Sequence, residues 1–139
     1  MTLIEVIITL GIITMISSIV LSNFYIDKYM VNSFTKQLCS DIRYVRARNM
    51  SSDFSTYIYY KNENNIISYV LREGGNDIKQ VSLPKNTNLY NKISKIIFRQ
   101  DGAMGESGET ITVIYKGEKI EITIVPFSGR VLLKEGIYE

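Results

Sequence analysis

Histidine and tryptophan are absent from the 139 residues, cysteine occurs once and proline twice. The lack of histidine removes the commonest general base and the commonest metal ligand together. No catalytic residue, metal site or cofactor is expected, and the reading is not that of an enzyme. The single Cys39 cannot close a disulfide within the chain, so packing alone must hold the fold. An excess of one charge is also missing: 16 basic against 14 acidic residues leave a net +2, too little to announce a nucleic-acid or anionic partner. Any basic site must therefore be local. Charge disappears altogether between Val6 and Ile26, a run of 21 residues.

A helix needs roughly 20 mainly apolar residues to cross a bilayer core, and 6–26 meets that length. Its apolar side chains lie all round the helical wheel, as expected for a helix surrounded by lipid or by other helices. Thr9, Thr14, Ser17 and Ser18 can return their hydroxyls to a carbonyl one turn earlier. The segment is not built like a secretory signal peptide, which has a basic start and a small-residue cleavage site. Residues 1–26 are thus expected to be the transmembrane half of a helix in a single-pass membrane protein, with the C-terminal domain outside the cytoplasm.

Glu5 is the exception within this segment. A carboxylate in an apolar helix costs on the order of 2.5 kcal/mol or more, so it requires a partner. The first cation in the chain is Lys28, about 35 Å away along a helix. That leaves the α-amino group of Met1, in the same chain or a neighbour, or else solvation at the headgroups.

Thr2-Leu3-Ile4-Glu5-Val6 followed by an apolar run resembles the start of a mature type IV pilin or pseudopilin. The resemblance implies that a prepilin peptidase has removed a short basic leader and that Met1 is the N-methylated residue. It also implies that Glu5 neutralises the terminal amine of a neighbouring subunit during assembly. Major pilins of the family tend to carry a proline within this helix, whereas here the first is Pro84. That difference points to a minor subunit.

From Val31 the pattern becomes one-sided, with Phe34, Leu38, Ile42 and Val45 at steps of three or four. This predicts an amphipathic continuation of the same helix over 27–53, ending near Met50 before Ser51-Ser52-Asp53. Arg43, Arg46 and Arg48 fall off the stripe and read as a solvated face, and Cys39 as a buried, inert thiol. Residues 54–139 then read as a β-rich globular domain. Strands are predicted at 57–60, 66–71, 78–83, 93–98, 111–115, 120–125 and 131–133, and Ile120, Ile122 and Ile124 alternate with polar neighbours on a half-buried strand. The fold class is α+β: a long N-terminal helix, half membrane and half amphipathic, packed on an antiparallel β-sheet.

Ile97-Phe98-Arg99-Gln100-Asp101-Gly102 and the late Gly129-Arg130-Val131 resemble the GspH/FimT group of minor pseudopilins (ComGD-like). In members that assist DNA uptake, a Gly-Arg-x-Arg tail contacts phosphates. Here Leu132 stands at the second arginine, which leaves Arg130 and Lys134 as candidate DNA contacts beside the alternative of ordinary surface residues. Asp101, Glu106 and Glu109 are expected in a mobile, solvated loop, since their spacing suits neither a calcium loop nor an acid–base pair.

The leading expectation is a minor subunit of a type IV pilus-like filament serving competence, a pilus or type II secretion. Its partners would be other pilin subunits, the prepilin peptidase and the cytoplasmic membrane. The alternatives are a DNA-capturing minor pilin and a signal-anchored extracellular binding domain unrelated to filaments.

Overall fold

A computed structural model describes residues 2–51 and 55–137, with the side chains of 18–25 and 136–137 outside the described set. A single helix, α1 (Leu3–Met50), covers the first third of the chain. Ser51 caps it, its N–H reaching Ala47 O at 3.3 Å and Arg48 O at 3.1 Å. Among the described residues no helix is long and apolar enough to cross a membrane. The predicted span 6–26 includes 18–25, whose side chains lie outside them. Thr9, Thr14 and Ser17 do bond carbonyls one turn back, at 2.8–2.9 Å.

Eight strands follow: β1 (Tyr57–Glu63), β2 (Ile66–Glu73), β3 (Asn76–Ser82), β4 (Thr87–Tyr90), β5 (Lys95–Ile96), β6 (Glu109–Tyr115), β7 (Glu118–Ile124) and β8 (Val131–Ile137). They form two four-stranded sheets, in the orders β3-β2-β1-β5 and β4-β6-β7-β8, where the sequence suggested one. All the strand pairs are antiparallel.

Three two-residue turns set the register. Asn64-Asn65, Gly74-Gly75 and Lys116-Gly117 all have positive φ at both positions, the geometry whose twist matches that of the flanking strands. Tyr57↔Arg72 through Glu63↔Ile66 pair without interruption across the first turn, so β1 runs three residues beyond its predicted end. The strand expected over 93–98 contracts to Lys95–Ile96, and β4 was not anticipated.

The α1 stripe meets both sheets. Val31, Phe34, Leu38, Ile42 and Val45 are all at most 5 % exposed, as the spacing required. They share one core with Ile58, Tyr69 and Leu71 of the first sheet and Ile111, Val113 and Ile122 of the second. Phe34 and Tyr69 meet edge to face, with ring centroids 5.6 Å apart. Ile120, Ile122 and Ile124 point inward as predicted.

Leu38 has no exposed surface, so Leu38→Ala should leave a cavity and lower the unfolding free energy by about 2–5 kcal/mol. Urea denaturation of the full chain in detergent, followed by circular dichroism, measures this.

Candidate functional site

The N-terminal half of α1 stands apart from the domain. Ten large apolar residues between Leu3 and Ile16 are each at least 40 % exposed. Covering a side chain of this kind is worth about 1.5–3 kcal/mol, so the uncovered surface represents on the order of 20 kcal/mol. A surface of that size needs lipid or protein against it.

Glu5 lies at the tip of this helix and has a partner that the sequence reading did not supply. Its Oε2 accepts the backbone N–H of Thr2 at 3.0 Å, and the Thr2 hydroxyl lies 3.4 Å from the same oxygen. Thr2-x-x-Glu5 is the spacing of a capping box, in which the third helical residue returns its side chain to the N-cap N–H. The carboxylate also suits the positive end of the helix dipole. A neutral N–H satisfies a hydrogen bond and leaves the charge intact. Met1 lies outside the described residues.

At its other end α1 is tied to the domain by the three arginines expected to form a solvated face. Arg43 and Arg48 are exposed and Arg46 is half-buried, and all three are also bonded to the domain. Arg43 donates to Val131 O at 3.1 Å, and Arg48 forms an ion pair with Glu73. Arg46 donates through Nε to Gly102 O at 3.1 Å and through Nη2 to Ser128 O at 3.0 Å. Residues 97–102 and 128–131 therefore meet at one residue of the helix. Phe98 is buried in the core, and Gly102 and Gly129 press backbone to backbone. A Cβ built on Gly129 would lie 1.8 Å from Gly102 O, and its φ of 59° is already left-handed.

Arg130 and Lys134 are exposed, and alternation along β8 puts them on one row with Leu132, facing away from buried Val131. Lys134 stands opposite Glu121 in the register. The acidic loop is also different from expectation. Glu109 opens β6, is 3 % exposed and accepts the Lys92 N–H at 2.6 Å, while Asp101 accepts the Ala103 N–H at 2.9 Å. Of the three carboxylates only Glu106 is exposed without a role in the turn or the core. Among the described residues no group of three or more metal-ligating side chains is placed to hold an ion.

Asp41 was not singled out by the sequence. It is 7 % exposed and accepts from Tyr69 at 2.7 Å, Lys79 at 2.7 Å and Gln37 at 3.1 Å, which joins α1 to β2 and β3. Burial, reinforced by the hydrogen bond to Asp41, pushes the Tyr69 phenol well above its ordinary range. Cys39 is buried, and burial raises its thiol against the opposing pull of Arg43.

A search of solved structures finds the minor pseudopilin EpsH from the type 2 secretion system of Vibrio cholerae, at a TM-score of 0.52 and 11 % identity. The match covers 76 % of this chain and 96 % of that one. The fold is pseudopilin-like. No family model matches the chain, and no curated protein matches it in sequence.

Gly74 and Gly129 have nearly the same φ, 58° and 59°, but nothing lies within 4 Å of a Cβ on Gly74. Gly74→Ala should cost about 1–2 kcal/mol for the left-handed backbone alone. Gly129→Ala must also displace the Gly102 carbonyl and should lower the unfolding midpoint clearly further in a side-by-side denaturation.

Proposed function

We propose that the chain is a minor pilin or pseudopilin subunit that is anchored in the cytoplasmic membrane through α1 and assembles through that helix into a type IV pilus-like filament. The observation that carries the reading is the uncovered apolar surface of α1 over Leu3–Ile16, beside a stripe from Val31 to Val45 that the domain buries. In the membrane, lipid covers that surface; in a filament, the helices of other subunits cover it. The likeness to a minor pseudopilin supports the coarse role. Competence, a pilus and type II secretion all fit it. The prepilin peptidase is the processing partner, acting at Met1, and the β-rich domain lies outside the cytoplasm. DNA is not part of this reading, because Lys134 faces Glu121 and Leu132 separates it from Arg130.

Glu5 has two roles in this scheme, a cap within its own helix and a charge partner for a neighbour's terminal amine. Substitution separates them. Glu5→Gln keeps an oxygen for the Thr2 N–H but removes the charge, whereas Glu5→Ala removes both. Neither should prevent membrane insertion. Both should reduce incorporation into filaments about tenfold or more, as expected for a lost charge-assisted bond of roughly 1.5–3 kcal/mol. Quantifying the subunit in sheared filaments and in membranes tests this. Normal incorporation of Glu5→Gln would leave capping as the role of Glu5. Mass spectrometry of the native N-terminus tests the processing step, with N-methylated Met1 the expected result.

A further inference from the structure

The base of the β domain sits level with the end of the apolar run. Lys28 bonds Glu118 at 2.8 Å, and the Tyr115 hydroxyl lies 3.5 Å from Asp27 Oδ2. Asp27 and Lys28 immediately follow Ile26, the last residue of the uncharged stretch. Two residues of helix advance only about 3 Å, so no stem separates the β6–β7 turn from the point where α1 leaves the apolar layer. This spacing is within a Debye length of about 8 Å at physiological salt, where lipid charge is still felt.

The chemistry at that level suits an anionic headgroup layer. Lys85 and Lys116 occupy exposed loop tips, Lys85 beside Asp27 and Met30 and Lys116 in the β6–β7 turn. Glu118, the nearest carboxylate of that turn, is neutralised by Lys28. Tyr29 is 73 % exposed on α1 at the same height, with Ile26 and Met30 also uncovered. Tyrosine is enriched at membrane–water interfaces, where its amphipathic ring sits at headgroup level. Lys116 also has a φ of 47° at the first central position of a turn that ordinarily takes Asn, Asp or Gly there. The other two turns of this kind use asparagine and glycine. Lysine is a poor choice for the turn itself; its Nζ lies 5.2 Å from the Tyr115 ring centroid, a contact that holds the charge at the base without neutralising it.

Resting on the membrane-anchored reading above, we propose that the base of the domain, centred on Lys85 and Lys116, is a docking surface for anionic phospholipid headgroups. It holds the subunit against the bilayer before assembly. Extraction into a filament breaks these contacts, so lipid charge sets part of the barrier to incorporation.

The full chain, reconstituted in phosphatidylcholine vesicles with or without phosphatidylglycerol, allows a direct test by backbone hydrogen exchange. Residues 85–86 and 115–119 should exchange several-fold more slowly with phosphatidylglycerol present, and high salt should abolish the difference. The turn at Gly74-Gly75, which bonds Ser55 beyond the far end of α1, should not change. Each lysine near an anionic surface shifts the docked-to-free ratio about fivefold, so Lys85→Ser with Lys116→Asn should remove the effect. Asparagine favours the left-handed turn, so the unfolding midpoint should not fall. Equal exchange in both vesicles overturns the docking surface while leaving the anchor intact. A chain that co-floats with neither vesicle overturns the anchor, and with it the spacing on which the docking surface depends.

Discussion

The domain depends on a single helix face shared by two sheets. Val31, Phe34, Leu38, Ile42 and Val45 supply one wall of the core to both, and the strands contribute the rest. Neither four-stranded sheet has another layer on its inner face among the described residues, so removing α1 would expose both. The polar flanks of the helix fix its position. Lys36 reaches Glu135 and Arg43 reaches Val131 on the β8 side, while Asp41, Tyr44 and Arg48 bind Tyr69, Lys79 and Glu73 on the other. A helix clamped from both sides cannot turn about its own axis. The direction in which its free half projects is thereby set by the domain.

Arg46 does for the loops what the stripe does for the sheets. Its guanidinium bridges the carbonyls of Gly102 and Ser128, and the Gly102–Gly129 contact admits no side chain. In this chain residues 97–102 and 128–131 are a packing joint. Glycine there is required by backbone approach and a positive φ.

Much of this was legible because periodicity is a long signal. The α1 stripe repeats over four turns, and the β6–β7 hairpin has apolar alternation on both sides of a short turn. What was not legible depends on contacts far apart in sequence. The split into two sheets requires β1 to pair with β5 and β4 with β6, across separations that no local pattern encodes. β4 and β5 have four and two residues, too few to show a period. Glu109 looked like a loop acid because sequence shows composition and not burial. The partners of Arg43 and Arg46 were missed because backbone carbonyls carry no signature in sequence. The capping box at Thr2-x-x-Glu5 was local and could have been read. The charge of Glu5 drew the inference to a terminal amine instead of to the Thr2 N–H.

Cys39 is the chain's single thiol, and it is shut inside the core with its reactivity suppressed. A buried thiol with a raised pKa is a poor nucleophile, so Cys39 is expected to react slowly with maleimides. Any cysteine introduced on the surface becomes a unique handle without first altering the core. Crosslinking by paired cysteines along Leu3–Ile16 and around the β domain can map neighbours subunit by subunit in living cells. The molecule comes ready for that experiment.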